Sequence, residues 1–101
     1  NIQPTKLSRK ERAQQRIKLK PLRDKLLRIE KEIDKANEIQ QELDQQLADS
    51  EIYSEANRDQ LRELLFDQAR NAQLQQELEG RWLAASELLE KADVPAESPR
   101  S

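Results

Sequence analysis

Apolar residues recur along the first half of the chain with the alternating three- and four-residue spacing of a coiled-coil helix. The stripe begins at Leu19 and ends at Leu47, and each step returns the chain to the same helix face. The spacing predicts one long helix over about residues 8–48, with a narrow apolar seam along one side. The residues of this stripe are Leu19, Leu22, Leu26, Ile29, Ile33, Ala36, Gln40, Leu43 and Leu47.

The second half of the chain repeats this spacing, and it predicts a second helix over about residues 55–92. Two of its positions stay open, because neighbouring residues fit the stripe equally well when each step is considered alone. The expected seam consists of Leu61, Leu64 or Leu65, Gln68, Asn71 or Ala72, Gln75, Leu78, Trp82, Ala85 and Leu89.

Local signals set the expected ends of these helices. Ser8 and Glu11 have the spacing of a capping box, which predicts the start of the first helix. Pro21 lacks a backbone donor and crowds the preceding turn, so we expect a kink near residues 20–21. Turn and cap formers predict a hairpin tip over residues 49–54. We expect a flexible lead over residues 1–7 and a disordered tail over residues 93–101.

The predicted fold is all-α: a two-helix antiparallel coiled-coil hairpin with a short basic N-terminal helical stem kinked at Pro21. If the chain folds back near Ser54, facing residues have numbers that sum to about 108. The heptad phase also continues from Leu47 to Leu61 through polar residues, so one unbroken helix in a parallel dimer remains the alternative. The facing pairs of the hairpin would be Leu47 with Leu61, Leu43 with Leu65, Gln40 with Gln68, Ala36 with Ala72, Ile33 with Gln75, and Leu26 with Trp82.

Composition narrows the chemistry that such a chain can perform. Hydrophobic residues make up 35% of the chain and charged residues 38%, which suits a narrow seam and not a thick core. The chain contains one Gly and no Cys or His, so a glycine-rich phosphate loop, thiolate metal sites and a histidine base are excluded. We therefore expect a non-catalytic, cytoplasmic, monomeric domain with no membrane span, no metal and no cofactor of its own.

The charge distribution is uneven, and it gives the chain its candidate binding residues. Residues 6–28, called the basic stem below, contain ten basic and two acidic side chains, a local charge of +8. A solvated helix face is the ordinary outcome of such a run, but cations at a helix N-terminus oppose the macrodipole and repel one another. A phosphate backbone as partner would explain them. The candidate nucleic-acid-binding residues are Lys6, Arg9, Lys10, Arg12, Arg16, Lys18, Lys20, Arg23 and Lys25.

Three segments carry a resemblance to a known family: the run Pro21-Leu22-Arg23, the tip from Leu47 to Tyr53, and Arg81-Trp82-Leu83. In this order they resemble the C-terminal coiled-coil domain of bacterial ABC-F ATPases, most closely the YheS-like group and more distantly the Uup-like group. The likeness covers about residues 7–90, and the tip with Arg81-Trp82 is its specific part.

The resemblance implies that this chain is an accessory domain of a larger cytosolic protein acting in translation. Its partners would be ribosomal RNA or the ribosome, or DNA as in Uup-like members, and the ATP-binding cassettes of the same protein. ATP and Mg²⁺ would bind those cassettes and no residue of this chain. The alternative is a structural or protein-interaction coiled coil that packs on the ATPase body or dimerises.

Overall fold

The computed structural model describes residues 8–93, which form a helical hairpin. Helix α1 spans Arg9–Ala48 and helix α2 spans Arg58–Asp93. Two short 3₁₀ turns, Ser50–Tyr53 and Glu55–Asn57, connect them. The two helices pack against each other along their length and run antiparallel, as the sequence predicts. The predicted lead over residues 1–7 and all of the predicted tail except Asp93 lie outside the described residues.

The seam of α1 is the predicted stripe. Leu19, Ile29, Ala36 and Leu43 are buried, and the intervening members of the stripe are partly buried. In heptad notation, Leu19 and Leu26 occupy position a, whereas Leu22 and Ile29 occupy position d. Positions e and g then flank the seam on its two sides.

The buried residues of α2 decide between the alternatives at the two seam positions that the sequence leaves open. Leu64, Asn71, Leu78 and Ala85 are buried at intervals of seven residues and occupy position d. Leu65 is 48% exposed and Ala72 is also exposed, so the predicted pairs Leu43 with Leu65 and Ala36 with Ala72 are wrong. Both residues lie at position e, one step around the helix from the seam.

The corrected pairing is visible in direct contacts. Leu43 packs with Leu64 in the apolar cluster near the tip. Asn71 donates its amide Nδ2–H to the Ala36 carbonyl at 2.9 Å and to Gln40 Oε1 at 3.3 Å. At the other end, Gln15 donates to the Ala92 carbonyl at 3.4 Å. At these levels the numbers of facing residues sum to about 107. The sequence predicts a sum of about 108, so the two corrected layers are shifted by one residue.

The kink predicted at Pro21 is not confirmed, because α1 continues through this residue without a break. Pro21 cannot donate to the carbonyl of Ile17, which would be its partner in the helix. Both residues lie on the outer surface of α1, and the Ile17 side chain is 72% exposed. Water can hydrate a carbonyl on that surface, so the helix loses one hydrogen bond without leaving a buried polar group unsatisfied.

Side chains at the tip satisfy the backbone groups where α1 ends. The Asp49 carboxylate accepts from the Glu51 amide at 3.0 Å. The Tyr53 hydroxyl donates to the Leu47 carbonyl at 2.7 Å, and Asn57 Nδ2 donates to the Glu51 carbonyl at 2.9 Å. Ile52 packs back on the end of the seam, where it joins the apolar cluster of Leu43 and Leu64. The tip is longer than predicted, because α2 becomes α-helical only at Arg58.

The first prediction concerns the d layer of α2. Leu78 is completely buried, so Leu78→Ala should lower the free energy of unfolding by about 2–5 kcal/mol. Leu88→Ala in the same helix is the matched control, because Leu88 is 51% exposed, and its effect should stay below about 1 kcal/mol. Urea unfolding followed by circular dichroism measures both values. Equal losses for the two variants would mean that the seam does not contain Leu78.

The second prediction concerns Asn71, the buried polar residue of the seam. A polar side chain in a coiled-coil core specifies register and partner number at some cost in stability. Asn71→Leu should therefore raise the free energy of unfolding and also introduce concentration-dependent oligomers, measured by urea unfolding and light scattering. Ala72→Leu adds a leucine at the adjacent exposed position as a control. A destabilised, strictly monomeric Asn71→Leu chain would contradict this role for Asn71.

Candidate nucleic-acid interface

The basic stem forms the base of the hairpin, the end opposite the tip. Its first helical turn is fixed by Ser8, whose hydroxyl accepts from the Glu11 amide at 3.1 Å. Glu11 Oε1 accepts in return from the Ser8 amide at 2.9 Å, which completes the predicted capping box. These two hydrogen bonds fix where α1 begins. The packing of α1 against α2 decides which way each cation of the stem faces.

The predicted site residues are all exposed within the described part of the chain. Lys6 lies outside it. Lys20 Nζ lies 2.8 Å from Asp24 Oδ2 in a solvent-exposed ion pair, which contributes at most about 1 kcal/mol to stability. The remaining exposed candidates are Arg9, Lys10, Arg12, Arg16, Lys18, Arg23 and Lys25.

The hairpin does not bring these cations together on one surface. Arg9, Arg16 and Arg23 occupy position e of α1. Lys18 and Lys25 occupy position g, on the other side of the seam. Two outer positions hold Lys10 and Lys20, and Arg12 continues the a positions of the seam. The predicted set is therefore divided between two sides of a thin hairpin.

Contacts between the helices define the e side. Trp82 Nε1 donates to Glu30 Oε2 at 3.0 Å, and Gln75 Nε2 donates to Asn37 Oδ1 at 3.0 Å. Glu30 and Asn37 continue the e positions of Arg16 and Arg23 by whole heptads. In an antiparallel pair the e positions of both helices lie on the same side, so the e side also holds Glu79, Ser86 and Asp93 of α2.

The opposite g side is defined nearer the tip by a shallow surface groove. Ile39 of α1 and Leu74 of α2 line it from position g, and Arg70 and Glu77 line it from position c of α2. Positions c and g continue toward the base by whole heptads. There the g side holds Lys18, Lys25 and Arg28 of α1 with Arg81 and Lys91 of α2.

Three cations that were not among the predicted candidates share a side with Lys18 and Lys25. Arg28 was counted in the charge of the stem but not among the candidate residues, and Arg81 and Lys91 belong to the other helix. All three are exposed. The seam of α2 could have revealed the last two, because fixing its phase also fixes which α2 side chains flank α1.

The pKa of Glu11 is shifted from the ordinary value of a glutamate. The hydrogen bonds from the Ser8 backbone amide and then from the Ser8 side chain favour the charged carboxylate, and they hold the pKa of Glu11 below its ordinary value. The capping contribution is therefore complete above the ordinary pKa of a glutamate. It is lost as the pH falls through the lowered pKa of the folded helix.

No group of three or more carboxylates in residues 8–93 is placed to hold a metal ion. Neither long helix in the described range combines the length and the apolar character needed to cross a membrane.

The third prediction is that acid loosens the first turn of α1 before the rest of the hairpin. The Cα chemical shifts of Arg9 to Arg12 should move toward coil values as the pH falls through the lowered Glu11 pKa, while those of the seam stay helical. Glu11→Gln keeps an acceptor oxygen but cannot titrate, so it should remove this step. A step that persists in Glu11→Gln would assign the transition to another group.

Comparisons with known proteins give this chain no relative. No protein-family model matches it. No curated protein and no solved structure matches it either. The ABC-F resemblance stays a hypothesis, and the function is argued from the geometry of the hairpin base.

Proposed function

We propose that this hairpin is an accessory nucleic-acid-binding domain that contacts RNA or DNA phosphates through its basic base. The observation that carries the proposal is the exposure of every described candidate cation at one end of the molecule. The partner chemistry follows from charge, because every nucleotide of RNA or DNA carries a negative phosphate that attracts lysine and arginine side chains.

The electrostatics of α1 support an external anion. Cations in the first turns of a helix oppose its macrodipole, at a cost of about 0.3–1 kcal/mol each at low salt. The first turn of α1 contains a single acidic residue, Glu11, which is engaged with Ser8. Fewer cations at this end would make folding of the hairpin more favourable. The charge of the stem therefore lowers the stability of the hairpin and increases its attraction for an anion.

The wider setting is proposed from the resemblance. The hairpin would be the C-terminal coiled coil of an ABC-F type ATP-binding protein that acts in translation, with ATP and Mg²⁺ held by the cassettes of that protein. The ribosome or its RNA would be the partner, or DNA in the Uup-like case. The tip and the Arg81-Trp82 segment are the residues on which this part of the proposal rests.

A second function is favoured by apolar side chains that the hairpin leaves uncovered. Leu27 and Leu83 are each 56% exposed and occupy position b, which borders the e side near Trp82. A protein surface that covers them would remove apolar area from water. The hairpin would then be a structural or interaction module that packs on the ATPase body or dimerises, and changes to the basic stem would not affect it.

The fourth prediction tests phosphate binding directly. The whole chain is titrated with a 20-base-pair RNA duplex and a DNA duplex of the same sequence, over a range of salt concentrations. The logarithm of the affinity should fall linearly with the logarithm of salt, with a slope near −3 or steeper for at least three or four phosphate contacts on B-DNA. The ratio of RNA to DNA affinity then separates a ribosomal role from a DNA role.

A charge reversal and its matched control complete this test. Arg12→Glu/Arg16→Glu/Lys20→Glu changes the charge at the base by six units, and it should weaken binding at low salt by more than about tenfold, because it lowers the positive potential around the whole base and not only at the three substituted side chains. Arg58→Glu/Arg62→Glu/Arg70→Glu makes the same change in the tip half of α2 and should have a much smaller effect. Wild-type chain that shows no binding at low salt would exclude the proposed function and leave the interaction module.

A further inference from the structure

Lys25 and Arg81 occupy position g of α1 and α2, and the antiparallel register places them at the same level of the hairpin. The register is fixed by the contacts of Asn71 with Ala36 and of Gln15 with Ala92. Positions g of two antiparallel helices flank the same side of the seam, where coiled coils commonly place opposite charges. Here the two helices place like charges, which the fold itself does not require.

Three further cations extend this pair into one surface. Lys18 lies one heptad from Lys25, and Arg28 and Lys91 lie at the adjacent c positions. With the 1.5 Å rise of an α-helix, the surface extends about 18 Å from the level of Lys91 to that of Arg28. The g-side patch consists of Lys18, Lys25, Arg28, Arg81 and Lys91, all exposed.

Acidic residues bound this patch but do not interrupt it. Glu11 lies at position g beyond its basal end, and its carboxylate accepts from Ser8. Glu32 and Glu77 lie beyond its other end, at positions g and c. Between these levels, the c and g positions of the two helices contain the five cations together with uncharged residues such as Pro21, Ala84 and Leu88.

The e side of the same base differs sharply. Arg9, Arg16 and Arg23 lie there, and Lys20, which pairs with Asp24, occupies the adjacent position b. However, α2 contributes Glu79 and Asp93 from position e and Glu90 from the adjacent position b. The register places Arg16 nearly level with Asp93. Carboxylates on the same side lower the potential that an approaching phosphate meets, whereas on the g side both helices raise it.

We infer that the g-side patch is the phosphate-binding surface, and that it grips the backbone of a double-stranded nucleic acid with cations from both helices. This inference rests on the proposed function and assigns the side that performs it. Two observations favour a duplex over a single strand or an acidic protein. The cations form two rows separated by about the 8–10 Å between packed helix axes, and the c and g positions of the patch contain no aromatic ring on which a base could stack.

The test compares two double variants that remove the same charge from opposite sides of one hairpin. Lys25→Gln/Arg81→Gln takes one cation from each helix of the g-side patch. Arg16→Gln/Arg23→Gln takes two from the e side. Each is titrated with the 20-base-pair duplexes across the salt series, and circular dichroism checks that both remain helical.

The g-side variant should reduce the magnitude of the salt slope by about two, because each lost phosphate contact removes about 0.9 from it on B-DNA. Its affinity at low salt should fall about tenfold more than that of the e-side variant, whose slope should change by less than one. Single-stranded oligonucleotides of the same length and a polyglutamate peptide should bind the wild-type chain more weakly than duplex.

Different results would overturn the g-side assignment and the proposed function. If the wild-type chain binds duplex and the two variants lose affinity equally, or the e-side variant loses more, the assignment to the g side is overturned while phosphate binding stands. Tighter binding of single strands or polyglutamate than of duplex would overturn the duplex partner. No binding of any nucleic acid by the wild-type chain would remove both proposals together.

Discussion

Burial in this hairpin is confined to one seam between two helices, and every other feature of the molecule depends on that limit. Each helix has one neighbour, so only the a and d positions can be removed from water. Leu78 and Leu19 are the largest side chains that become fully buried. The b, c, e, f and g positions largely face solvent, where packing against the other helix does not dictate the residue type. The fold therefore leaves those positions open to selection for binding.

The seam also explains where sequence reasoning succeeded. The α1 stripe is regular enough that each member is buried or partly buried as predicted, and the hydroxyl of Ser8 caps the helix as its spacing indicates. The α2 stripe was ambiguous near Leu64 and Leu65, since either neighbour continues the pattern from Leu61. Counting backwards from Leu78 and Trp82 removes the ambiguity, because only Leu64 and Asn71 keep the alternating steps of four and three.

Pro21 and the candidate cations show two other limits of a one-dimensional pattern. A proline costs a helix less when the carbonyl that loses its hydrogen bond can be hydrated, and the sequence does not state directly that the turn before Pro21 faces water. The side of the hairpin on which each cation lies is likewise undetermined until the position of the partner helix is known. The candidate cations were predicted as one set of residues, but antiparallel packing places Arg16 and Arg23 on a side with acidic neighbours and Lys25 on a side where the base has none.

The two ends of the hairpin are closed by contacts of very different loop length. At the tip, Tyr53 reaches Leu47 across six residues, whereas at the base Gln15 reaches Ala92 across 77. Short loops lose little entropy on closing and long ones lose more, so we expect the base to be the end at which the helices separate first. A polyanion bound by cations of both helices would then hold α1 and α2 together at the end where their own contacts hold them least.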